Sequence, residues 1–263
     1  MVTDNWPVDV KYCSRRLVRQ IVQQDAAPRR KWLKGIGISA GVAPAGISAD
    51  LGPSEADHGN LYDLVRRATA AVSDNTGTLA SPGEYVRTTL DVTWGAIPVH
   101  MGWERAQNVR VASFFANAEV AGVGGVFLGL FGSATNFLGI AQDEYRGGWM
   151  PSEVEGLYQI LDDTSEPGDP EVSTEFIHWD QDLDSESRIH SAVTLYQTAS
   201  AHGGGAVELL FKPYLTAHDV DLSFHGLRSH DKSGRYGLVM LGAPIWVSTP
   251  LPGADRTALP FAP

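Results

Sequence analysis

The stretch VAGVGGVFLGLFGSATNFLGIAQ, residues 120–142, carries no charged side chain, and its reading decides the fold. As a helix it is long enough to cross a bilayer. Gly125 and Gly129 form a GxxxG pair, a pattern that dimerises helices in lipid. Three features turn the reading away from a membrane. Gly122, Gly124, Gly125, Gly129, Gly132 and Gly139 weaken any helix here. Ser133, Thr135 and Asn136 would be costly at mid-depth. Glu119 on one flank and Asp143 with Glu144 on the other leave no positive anchor. The stretch therefore reads as a buried strand over 125–131, then a turn and a short helix.

The flanking sequence supplies companions for that strand. A second apolar run covers 109–115. Residues 85–94 alternate, with Val86, Thr88, Leu90, Val92 and Trp94 on one side. A short strand at 8–12 leads to Ser14, an N-cap for a helix presenting Leu17, Val18, Ile21 and Val22. Glycine-broken strands are expected within 32–50. A helix follows from residue 54, with Leu61, Leu64, Val65, Ala68 and Val72 on one face. After Gly147-Gly148, Ser152 and Glu155 form a capping box. The run Glu166-Pro167-Gly168-Asp169-Pro170 is the hinge-like loop. A strand is expected at 172–179 and a helix at 184–201, ended by His202-Gly203-Gly204-Gly205. Strands at 207–215 and 236–247 complete the pattern. The class is α/β or α+β, a mixed β-sheet with flanking helices in a single domain spanning 1–263. Leu128–Ala134 echoes Leu238–Pro244, which suggests loosely similar halves at 1–147 and 148–250. Residues 251–263 form a Pro-rich C-terminal tail.

Composition narrows the function. The chain has 263 residues, and 19% charged with 43% hydrophobic residues marks it as globular. A formal charge of −11 argues against nucleic acid as a partner. One cysteine excludes a disulfide framework and a cysteine-based zinc site. The first residues show no apolar signal segment, so the cytoplasm is the expected location. The charge is uneven. Lys11, Arg15, Arg16, Arg19, Arg29, Arg30, Lys31 and Lys34 outnumber Asp4, Asp9 and Asp25 within the first 35 residues. An anion would meet that segment first.

Several motifs bear on chemistry. Gly37-Ile38-Ser39-Ala40-Gly41 fits GxSxG, but no helix follows to form a nucleophile elbow. Residues 122–127 lack the last glycine of a dinucleotide fingerprint, and no cofactor is predicted. His178 and Asp180 stand among acids that also suit the start of a helix. His218 and His225, with Asp219, Asp221, His230 and Asp231, form a second acid–base cluster. Neither cluster has the spacing of a metal site. Cys13 precedes a helix start and two arginines, where a thiolate is stabilised, although a buried free cysteine is commoner. The end of the 125–131 strand is the preferred binding site. Gly132 lets a ligand approach the backbone, and Ser133 and Asn136 offer hydrogen bonds.

Three segments together carry a resemblance: Lys11-Tyr12-Cys13-Ser14 leading into 17–21, Phe131–Gly139, and Leu241-Gly242-Ala243-Pro244-Ile245-Trp246-Val247. The chain resembles an uncharacterised family of actinobacterial proteins defined as a domain of unknown function. The resemblance implies a bacterial cytoplasmic protein and transfers no catalytic residue. The resulting expectation is a soluble binding or regulatory protein. It would recognise a small molecule, an anionic one included, or a protein partner, through Gly132, Ser133 and Asn136 with Arg15, Arg16 and Arg19. The alternative is a hydrolase or cyclase using His178, Asp180, His218 or His225. No membrane partner is expected, and the oligomeric state is left open.

Overall fold

A computed structural model describes residues 9–26, 58–99, 109–138, 185–198, 203–229, 233–250 and 258–259. The strands are β1 (Val10–Cys13), β2 (Thr76–Gly77), β3 (Tyr85–Val99), β4 (Val109–Val120), β5 (Gly124–Ser133), β6 (Gly203–Asp221), β7 (Arg235–Ser248) and β8 (Ala258–Leu259). The helices are α1 (Arg15–Ala26), α2 (His58–Ala71) and α3 (Ser185–Thr198). By contacts the chain divides into one unit of residues 1–15 and 75–263 and a second of residues 16–74.

Five strands of the first unit close into a barrel. The order runs β3-β4-β5-β7-β6 and returns to β3. Closure depends on the length of β3, whose residues 86–94 pair with β6 while 93–99 pair with β4. Only β5 and β7 run parallel within this ring, and the other four pairings are antiparallel. The fourth barrel strand, β6, lies beside the first, which makes a Greek key. A closed five-stranded Greek key is the architecture of OB-type barrels, a fold that hosts many functions.

The apolar run of β5 now has a physical cause, because both of its faces are buried. Val126, Leu128 and Leu130 point into the barrel with Phe114, Phe211 and Met240. Phe127 and Phe131 point outward, into a layer with Ile189, Val193 and Leu195 of α3. A five-stranded ring has a narrow interior. β4 accordingly supplies Ala112, Ala116 and Ala118 inward, beside the larger side chains. Outside, Phe115, Phe127, Phe131 and Tyr196 meet largely edge to face, with centroids 5.5–6.4 Å apart.

Several expectations change. The mixed sheet closes on itself, and the described chain is mostly sheet. The echoing segments prove to be neighbours. Leu128 stands opposite Met240 and Leu130 opposite Gly242 in the parallel β5–β7 pair. Two adjacent, fully buried strands select the same small and aliphatic residues. Residues before 147 and after 148 build one ring together. Gly203–Gly205 open β6. A Cβ on Gly203 would come within 2.7 Å of the Trp94 ring, so the ring lies flat on bare backbone. His218, Asp219 and Asp221 belong to β6. The elements expected within 32–50, 152–161, 166–170 and 172–179 lie outside the described residues. Of the tail, Ala258 and Leu259 pair with the end of β4.

The second unit contains most of α1 and all of α2. Val18 and Ile21 of α1 are buried, and so are Leu61, Val65 and Ala68 of α2, matching the expected faces. No described helix is long and apolar enough to cross a membrane.

Candidate functional site

β7 outlasts its pairing with β5, and β1 takes the vacated edge. Val10 pairs with Ser248, Tyr12 with Val247 and Cys13 with Trp246. On its other side Tyr12 bridges Phe137, and the Leu138 amide donates to the Lys11 carbonyl at 2.8 Å. β1 is thus held between β7 and the chain leaving β5. This brings Tyr12 to Gly132–Asn136, the segment expected to bind.

The Tyr12 ring meets Phe114 edge-on at 5.3 Å and Phe137 at 5.6 Å. Its hydroxyl fills the space above Gly132, where an added Cβ would collide with it. Asn136 Nδ2 donates to that hydroxyl at 3.3 Å. Ser133 Oγ and Thr135 Oγ1 share a hydrogen bond of 2.7 Å. Ser133 and Asn136 are half-buried, and Thr135 is exposed. Gly132 therefore first serves packing, because its missing side chain makes room for Tyr12. Ser133 and Thr135 form a hydroxyl pair, and Asn136 also carries an acceptor oxygen.

Charge at this end comes from Lys11 and Asp9. The Lys11 ammonium lies 3.1 Å from Asp9 Oδ2 and 5.8 Å from the Trp94 ring centroid. Thr249 Oγ1 donates to the same carboxylate at 2.8 Å. The Thr249 bond, and after it Lys11, hold the Asp9 carboxyl below its ordinary range. Cys13 is buried, and that burial pushes its thiol up to about 12 against a small opposing pull from Arg15. It is a packed thiol, not an activated thiolate. Arg15 is half-buried at the start of α1. Arg16 and Arg19 are exposed and belong to the second unit.

The acid–base candidates do not form a described cluster. His178 and Asp180 lie outside the described residues, as does the GxSxG segment at 37–41. His218 is exposed on β6. Asp219 beside it has a φ of 54°. Asp221 Oδ1 accepts from the Ser223 amide at 2.9 Å and so organises a turn. Only the backbone of His225 is described, in the 3-10 turn Ser223–His225. Among the described residues no group of three or more His, Cys, Asp or Glu could hold a metal ion. Gly122 and Gly124, with φ of 79° and 86°, build the β4–β5 turn. That turn accounts for Gly122 and Gly124, while a Cβ on Gly125 would crowd Ser229 and the Arg235 carbonyl.

Sequence reading passed over three residues. Tyr12 reaches Asn136 across 124 positions, so no local pattern marks the pair. A buried tyrosine hydroxyl does require a partner, and that was the available signal. Asn117 accepts from Tyr236 OH and donates to the Arg228 carbonyl, each at 3.1 Å, tying β4 to the β6–β7 connection. Phe224 in that connection is 92% exposed, and a lone aromatic in a polar segment was its signal.

No curated protein and no solved structure matches the chain. One family model, described as a family of unknown function, DUF7019, matches residues 11–249. The match starts at β1 and runs through β7, so it takes in every strand of the barrel and the segment that carries Tyr12 and Gly132–Asn136. The chain belongs to the DUF7019 family.

Proposed function

We propose that the protein is a soluble, cytoplasmic binding module. Its barrel recognises a small molecule at the end where Ser133, Thr135 and Asn136 lie over the buried Tyr12. The observation that carries the reading is the fixed Tyr12–Asn136 pair beside the Ser133–Thr135 hydroxyls. A polar surface whose members are already oriented binds with little ordering cost. Lys11, already paired with Asp9, and Arg15 are the basic groups that an anionic ligand would draw on here. A protein partner at the same surface is the second form of this reading.

The hydrolase or cyclase alternative has less support. Of its four candidates, only the His218 side chain is described, and it is exposed on a strand. A general base needs a partner and a substrate within hydrogen-bond reach.

The test is thermal stabilisation by a panel of small anions: inorganic phosphate, nucleoside phosphates and dicarboxylates. A bound ligand raises the melting temperature by mass action. The expected result is a shift with at least one anion, lost in Ser133→Ala/Asn136→Ala. An unchanged shift in that double variant would remove this site.

A further inference from the structure

The barrel wall is unevenly closed. β3 pairs with β4 only from Thr93 onward, against Val109–Phe115. Its earlier residues, 86–92, pair with β6 on the opposite edge. The rest of β4, Ala116–Val120, is paired with β5 on its other side. The two strands therefore part at Thr93 and Phe115, and a seam opens between them toward the barrel end where β5 begins.

Two short strands stand in the seam. Val86 has Phe211 on one edge, so Gly77 of β2, its second partner, takes the edge that faces the seam. On the opposite lip Glu119 pairs with Leu259 and Val120 with Ala258, both antiparallel. β8 also comes close to β3, so it reaches both lips. Core lies directly behind. Ala116, Ala118 and Val120 point into the barrel, as do Leu90 and Val92 of β3. An uncovered edge here would present backbone donors and acceptors beside apolar side chains.

β8 is a minimal cover. It makes two residue pairs, and Pro260 after it has no amide to continue the ladder. Such a strand opens far more readily than the long β4–β5 ladder on the other edge of β4. It also lies outside the family match, which ends at residue 249. The seam thus belongs to the family's barrel, and its cover does not.

We propose that the segment carrying β8 is a detachable strap over a strand-acceptor seam. Seated, it finishes the wall between β3 and β4. Released, it leaves the outer edge of Ala116–Val120 as a template to which an extended peptide adds as an antiparallel strand. The occupant is the chain's own segment, and a separate copy of that segment can take its place. The strap is independent of the small-molecule reading, which concerns the other end of the barrel.

Amide hydrogen exchange of the full chain, read by NMR, tests it. The amides of Ala116–Val120 that face away from β5 should exchange ~10-fold or more faster than those bonded to β5. Glu119→Cys/Leu259→Cys joins two register partners by a disulfide and should slow the outer amides ~10-fold, reversed by reduction. Leu259→Pro removes the amide of the strand and should speed them ~10-fold, with residues 109–115 unchanged. A synthetic peptide of residues 253–263 at ~1 mM should slow them in the wild-type and Leu259→Pro proteins and leave the locked protein unaffected. Equal exchange in the wild-type and locked proteins, or failure of the two cysteines to join, overturns the strap, whatever Leu259→Pro does to the fold. A peptide that changes exchange in neither unlocked protein overturns the acceptor seam.

Discussion

Gly132→Ala is the sharpest probe of the β1 seam. The new methyl group would land on the Tyr12 hydroxyl, which cannot simply swing away. Phe114 and Phe137 clamp the ring at 5.3 and 5.6 Å, and the backbone of Tyr12 is paired on both sides. Overpacking at such a site costs about 1–3 kcal/mol. Displacing the hydroxyl also loses the Asn136 bond, about 0.5–1.5 kcal/mol more. The total is about 1.5–4.5 kcal/mol. Tyr12→Phe alone loses only the hydrogen bond, about 1 kcal/mol. The double variant has no oxygen to displace, although the ring carbon that bore it still lies 3.1 Å from the new Cβ. Its destabilisation should fall short of the sum of the single changes by at least about 1 kcal/mol. Denaturant unfolding followed by tryptophan fluorescence measures all four proteins. Additivity within about 0.5 kcal/mol, or a neutral Gly132→Ala, would refute the packing of Tyr12 over Gly132.

Other expectations follow from the same geometry. Cys13 should resist a thiol reagent at pH 8 in the native protein and react once unfolded, since burial holds it protonated; ready labelling of the native form would contradict this. Its raised pKa also sets an alkaline limb. The unfolded thiol ionises near 9.0 and the folded one near 12, so stability is full below pH 9 and falls as pH rises between them. Burial raises Tyr85 and Tyr196 as well, and both add to the fall. The cysteine contributes at most about 1.4 kcal/mol per pH unit, and Cys13→Ala should flatten the slope by that share. Arg87 Nη2 lies 2.6 Å from Glu208 Oε1, with the carboxylate side chain 10% exposed and the arginine 42%. Arg87→Ala should therefore cost about 1–3 kcal/mol by stranding a buried charge. Glu208→Gln should cost less, because the arginine can turn to water; the reverse order in a melting comparison would contradict the burial.

The sequence showed the elements better than their arrangement. Alternation placed Val86, Leu90 and Val92 on the inner face of β3, and all three line the barrel. The uncharged run at 125–131 gave β5, whose two buried faces explain its lack of polar residues. Closure was not legible. It depends on β3 continuing through Gly95 and Pro98, residues that read as breakers, to reach β4. The echo between β5 and β7 was visible, but a shared degree of burial looks the same whether strands are neighbours or repeats. At the candidate site, Gly132, Ser133 and Asn136 stand out in the sequence as small and polar residues at a strand end. The reason for the glycine was hidden, because Tyr12 lies more than a hundred residues earlier and meets it only through pairing of β1 with β7.

Amide chemical-shift mapping is the most direct test of the proposed binding end. The isotope-labelled chain is titrated with whichever anion raises the melting temperature. Saturable shifts confined to Lys11–Ser14 and Gly132–Phe137, absent in Ser133→Ala/Asn136→Ala, are expected. Saturable shifts elsewhere with these segments unmoved would contradict a binding site at the Tyr12 end of the barrel.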